Sequence, residues 1–167
     1  QQRTLQEIEN KYRNIFENAV EGIFQSSPDG RFISVNPAMA KIFGYDSPEE
    51  MIEKVSDIGR QIHLSTEKRA IFTKQLVENG VVENFEAQNL QRDGGIIWTS
   101  TNARIVKDTD GNPLYYEGSV TDITKQKIAE NAIREAEERY RLLVEKLPAV
   151  IFMDKFDDPH SIQYISP

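Results

Sequence analysis

The sequence contains no cysteine. Disulfides, thiolate nucleophiles and cysteine-based metal sites are therefore excluded. Histidine is scarce, with only His63 and His160, and no metal cluster is visible. Positive charge is in deficit: 20 Lys and Arg stand against 27 Asp and Glu, a net charge of −7. That balance argues against nucleic acid or an anionic membrane as partner, because phosphate binding needs a basic surface. No apolar run approaches the roughly 18 residues of a membrane span, and the amino end shows no signal-peptide pattern. This segment is expected to be soluble, cytoplasmic and without membrane contact of its own.

The 167 residues leave room for one full domain with length to spare. Residues 4–20 read as an amphipathic helix with a heptad seam of Leu5, Ile8, Tyr12, Ile15 and Ala19. Gly22 to Ser26 and Arg31 to Val35 read as two strands joined by the turn Pro28-Asp29-Gly30. Asn36-Pro37 opens a short helix that Gly44 stops, with Met39, Ile42 and Phe43 as its apolar face. Ser47 to Glu50 is a capping box starting another helix. Residues 55–64 lack a period and read as loop or short turns. Ser65-Thr66-Glu67 starts a longer helix with Ala70, Ile71, Leu76 and Val77 as apolar positions and Asn79-Gly80 as its stop. Three strands follow, about Val82 to Gln91, Ile96 to Lys107 and Leu114 to Ile123, with hairpin turns at Asp93-Gly94-Gly95 and 108–112. Strands at both ends with helices between predict an α+β domain: an antiparallel sheet with helices on one face, flanked by amino- and carboxy-terminal amphipathic helices.

Lys125 to Leu147 reads as a second long helix, whose seam is Ala129, Ile133, Ala136, Tyr140, Leu143 and Leu147. Pro148 ends it. The chain then repeats its own beginning at an offset of 128 residues: Tyr12-Arg13 falls on Tyr140-Arg141 and Ile23-Phe24 on Ile151-Phe152. A period this long means tandem domains. The expected organisation is a coiled-coil helix over 1–20, a domain over 21–124, a linker helix over 125–147, and the first strands of a second domain over 148–167. That tail is expected to borrow a partner, as a hairpin packed on another chain or as an edge added to a sheet, with Phe152 buried in the contact.

Several pieces in this order resemble a PAS domain: the turn at Asp29-Gly30, Asn36-Pro37-Ala38 through Phe43-Gly44-Tyr45, Arg92-Asp93-Gly94, and Glu117-Gly118 followed by Asp122-Ile123-Thr124. The resemblance covers about Tyr12 to Thr124, and Tyr140 to Pro167 resembles a second PAS start. It implies a bacterial signalling module, of two-component or related type, with a five-stranded antiparallel sheet cupping a small cavity. It also implies a homodimer through the helices, a seam from Leu5 to Ile15 and from Ile133 to Leu143, and an output domain downstream in the parent chain. By the same resemblance Asp122, Ile123 and Thr124 carry the signal from the last strand into the exit helix. Locally, the Asp122 carboxylate can cap the amides of Lys125 and Gln126, with Thr124 as the competing cap.

Asn36, Phe85, Trp98 and Tyr116, with His63 at the rim, are the side chains expected around the cavity. Large aromatics with a few polar groups suit a small organic ligand. They suit a filled core equally, and the module is then a ligand-free dimerisation scaffold. Haem is not expected, because the helix where such domains carry their histidine has none and His63 precedes it. Covalent flavin is excluded with cysteine. Asp108, Asp110 and Asn112 mimic a calcium loop, but Pro113 and Ser119 stand where Gly and Glu are needed. Ser65-Thr66-Glu67-Lys68 matches a nucleophile motif without its companions and reads as a helix cap. The expectation is a regulatory segment, not an enzyme.

Overall fold

The computed structural model describes residues 2–146, together with the backbone of 152–154 and 162–165. Two units are distinguished, residues 1–124 and 125–167. In the first, helix α1 (Gln2–Asn18) leads into β1 (Gly22–Ser26) and β2 (Phe32–Val35). Four helices follow: α2 (Pro37–Phe43), α3 (Pro48–Lys54), α4 (Ile58–Gln61) and α5 (Thr66–Asn79). The meander β3 (Val81–Leu90), β4 (Ile96–Lys107) and β5 (Pro113–Asp122) completes an antiparallel sheet ordered β2-β1-β5-β4-β3. β1 and β5, distant in sequence, are neighbours at its centre, with Phe24 opposite Gly118.

The helix boundaries follow from local chemistry. Asn36, Ser47 and Ser65 each accept a hydrogen bond from the amide three residues on, and proline stands at the first helical position after the first two. Glu50 does not complete a capping box on Ser47: its carboxylate takes the amide of Asp46, one residue earlier, at 2.8 Å. Gly44 ends α2 in the left-handed conformation, φ 78°, which costs glycine little. The stretch expected to be loop or short turns contains the single helical turn α4. Asp57 caps it by accepting from the Arg60 amide, and the Gln61 side chain folds back onto Asp57 N and Lys54 O. Caps hold this turn where no periodicity announces it. Ile58 and Ile62 are buried by it.

The core lies between the sheet and α2–α5, built on Phe24, Phe32, Met39, Phe43, Met51, Val55, Phe72 and Leu76. α5 corrects an expectation: it buries Phe72 and Leu76, whereas Ile71 and Val77 are exposed. Arg69, Phe72, Thr73 and Leu76 recur at helical spacing on the face that meets the sheet. After α4 the chain runs beside β3: Leu90 N donates to Ile62 O, Leu64 N to Gln88 O, and His63 bridges Asn89.

In the second unit, α6 (Thr124–Lys146) precedes two paired strands, β6 (Phe152–Asp154) and β7 (Ile162–Ile165). These two strands pair with each other; the expected partner contact of the tail, the burial of Phe152 and the place of Leu147 lie outside the described residues. No helix among the described residues is long and apolar enough to cross a membrane.

Candidate functional site

The inward face of the sheet encloses a cavity of about 80 Å³. His63, Phe85 and Tyr116 line it, joined by Arg69, Phe72 and Asn89. Phe72 and Phe85 meet edge to face, ring centres 5.2 Å apart, a preferred aromatic arrangement. Its polar groups are poorly satisfied. The Arg69 guanidinium donates to His63 Nε2 at 3.2 Å, which leaves the ring proton on Nδ1. Burial, and then the Arg69 charge, lower the His63 pKa to about 4, so the ring is neutral near pH 7. His63 Nδ1 is buried with no partner among the described residues, and so is Asn89 Oδ1. The Asn89 amide donates to the fully buried Thr99 hydroxyl at 2.6 Å. Turning the amide over merely exchanges which of its polar atoms is left unpaired. Each such atom costs about 1–3 kcal/mol in a dry interior.

Asn36 and Trp98 do not line this cavity. Asn36 is fully buried elsewhere and acts as a joint. Its Oδ1 accepts from Ile23 N at 2.8 Å and Met39 N at 2.9 Å, and its Nδ2 donates to Phe16 O and Glu21 O, both at 3.0 Å. One side chain thus ties the end of α1, the start of β1 and the start of α2. Trp98 lies across β4 from the inward-facing Ile97 and Thr99. Its backbone instead serves the other end of the domain.

That other end is the exit from β5 into α6. Asp122 Oδ1 accepts from Thr124 N at 2.9 Å and from the Thr124 hydroxyl at 2.6 Å. Thr124 Oγ1 in turn accepts from Trp98 N at 3.0 Å, and Ile123 N donates to Trp98 O at 2.9 Å. Asp122 therefore engages Thr124, not the amides of Lys125 and Gln126. The triplet fastens the end of β5 to β4, with Ile123 buried between exposed Asp122 and half-buried Thr124.

The outer face of the sheet carries a larger, open groove of about 820 Å³ beside Tyr12 and Phe16 of α1. Four of its polar side chains have partners: Arg104 pairs with Glu117, Gln25 donates to Glu117, and Asn102 accepts from Asn84 N. Asn84 sits at a bulge in β3 with φ 50°. The heptad seams are exposed, from Leu5 at 60% to Tyr12 at 63% in α1, and from Tyr140 at 56% to Ile133 and Leu143 at 60% in α6.

Sequence reasoning missed Arg69 and Asn89. A charged helical residue and a polar strand residue both read as solvent-facing; the only available signal was their spacing from Phe72 and Ala87, which share their faces.

Comparison with known proteins agrees with this architecture. Residues 20–125 match the PAS domain family. A probable diguanylate cyclase of Escherichia coli, DgcE, is 23% identical over 143 residues, 85% of this chain. The sensor histidine kinase TmoS of Ectopseudomonas mendocina is 21% identical over 133 residues, 78% of this chain. The matched part is 13% of each of these relatives. A sensory box histidine kinase/response regulator structure from Burkholderia thailandensis superimposes with TM-score 0.60 at 23% identity, covering 78% of this chain and 98% of that one. The cupped five-stranded sheet and the family match over residues 20–125 together place this chain in the PAS domain family.

Proposed function

We propose that this chain is a sensory and relay domain: a small organic ligand occupies the inner cavity, and the resulting change passes through the exit joint to an output domain in the parent chain. The observation that carries the reading is the pair of buried, unpartnered polar atoms, His63 Nδ1 and Asn89 Oδ1, on residues that line the same cavity. A ligand with one polar end would repay a cost the protein bears alone. The route outward is covalent. β4 carries Thr101 and Ala103 at the cavity and Trp98 at the joint, and β5 carries Tyr116 and Val120 at the cavity and Asp122 at the joint. The output is of the histidine kinase or diguanylate cyclase kind, as the names of the relatives suggest. The segment is regulatory, and the tail is the opening of a second PAS domain.

Native mass spectrometry of freshly purified protein tests the ligand. The expected result is a bound small molecule of defined mass, lost when Ala87→Phe fills the cavity. Bare protein, with the filled variant fully active in the parent, would leave a ligand-free dimerisation scaffold as the function.

The exposed seams support a homodimer through the helices; a cytoplasmic location is proposed with it. Leu5→Glu with Ile8→Glu should shift the protein toward monomer in sedimentation, while the unfolding free energy of the monomer itself, measured at concentrations too low for dimer, changes by less than about 0.5 kcal/mol, because both residues are exposed in the single chain. An unchanged dimer constant would put the interface elsewhere.

A further inference from the structure

Among the described side chains lining the inner cavity, Arg69 is the only one with a formal charge; no aspartate or glutamate is among them. Its guanidinium is partly withdrawn from water, packed 5.6 Å from the centre of the Phe72 ring. Its one hydrogen bond goes to the neutral His63, and among the described residues no carboxylate reaches it. Besides burial, the groups that act on it are the Tyr116 phenol and, more weakly and from beyond ion-pair distance, Asp57, whose own carboxylate is taken up by Arg60. A guanidinium offers five N–H donors in a fixed fork matched to a carboxylate, so most of this one's capacity is unspent. His63 adds a second unspent donor, Nδ1–H. Asn89 can add a third, since the Thr99 hydroxyl is able to donate as well as accept, and a turned amide would present its NH₂ to the cavity.

We propose that the cavity takes a small aliphatic monocarboxylate, its oxygens held by Arg69 and by His63 Nδ1–H and its short tail against Phe72 and Phe85. This rests on reading the cavity as a ligand site. The size limit follows from the volume. A cavity of about 80 Å³ is small, which favours the shortest acids, of two or three carbons, over long chains. The aromatic wall calls for an apolar part, which an inorganic anion lacks. The rival ligand is a neutral alcohol or amide, which would use His63 Nδ1–H and Asn89 Oδ1 and leave Arg69 unused.

Calorimetric titration of the full chain with propionate, propionamide and 1-propanol, at neutral pH and fixed ionic strength, separates the cases. Propionate should bind about tenfold or more tightly than propionamide, the margin of a charge-assisted bond over a neutral one. Arg69→Met should weaken propionate about tenfold and move propionamide less than about twofold. The wild-type preference needs no variant, and Arg69→Lys, which keeps the charge without the fork, should retain part of it. Propionamide or 1-propanol binding as tightly as propionate would overturn the carboxylate inference and leave the ligand site standing. So would propionate affinity unchanged in Arg69→Met. Binding by none of the three, with bare protein in the mass spectrum, would overturn both.

Discussion

Two joints connect helices to the sheet, and they are built differently. At the amino-terminal joint a single amide, Asn36, is wholly buried and makes four hydrogen bonds to three elements. At the exit joint an exposed carboxylate and a half-buried hydroxyl bind chiefly each other and the Trp98 backbone. Water can reach the Asp122–Thr124 pair at the second joint, whereas the Asn36 side chain at the first is wholly withdrawn from it. Hydrogen bonds that water can replace contribute little net stability, whereas buried ones are costly to break. The first joint is therefore a fixed anchor, and the second is where the domain can yield without unfolding. A relay needs one of each: a frame that holds and an end that moves.

Removing the anchor should have the largest effect. Asn36→Ala strands the Ile23 and Met39 amides and the Phe16 and Glu21 carbonyls. The expected loss is about 4 kcal/mol in urea unfolding. A loss near that of an ordinary cap, about 1 kcal/mol, would mean that the two joints differ little.

Acidification probes the interior between them. The unfolded chain protonates His63 near its ordinary pKa, about 6.5, while the folded chain holds it to about 4. Between those values the unfolded state binds the extra proton. Stability should therefore fall as pH drops from about 6.5 to about 4, by about 3 kcal/mol from this group, and level off below. Unfolding curves of wild type and His63→Gln over this range should differ in slope. Parallel curves would mean that the imidazole is not held neutral.

The exit joint should give the smallest change. Asp122→Ala should cost about 1 kcal/mol or less, the usual price of a cap, with the sheet intact by circular dichroism. A loss as large as that from Asn36→Ala would erase the contrast.

The sheet was legible in the sequence because turn residues punctuate it: the three long strands lie within a residue of where the Asp-Gly and Gly-Gly turns place them. The cavity was only partly legible. Alternation defines two faces of β4 without saying which is inward. Here the inward set contains Thr99 and Thr101, so it is no more apolar than the set holding Trp98. Asn36-Pro37 reads correctly as a helix start, but its reach back to Phe16 and Glu21 is tertiary. Arg69 and Asn89 enter the site because α5 and the 62–64 segment pack on β3, a contact no local pattern encodes.

Residue-resolved hydrogen exchange under native conditions tests most directly the claim that the domain yields at its exit. The informative amides are Ile23 and Met39, held by Asn36, against Thr124 and Trp98, held by Asp122 and Thr124. The first pair should exchange only through global unfolding, the second at distinctly lower free energy, and Asp122→Ala should speed the second pair alone. Equal protection of both pairs, or acceleration of all four together, would contradict the account.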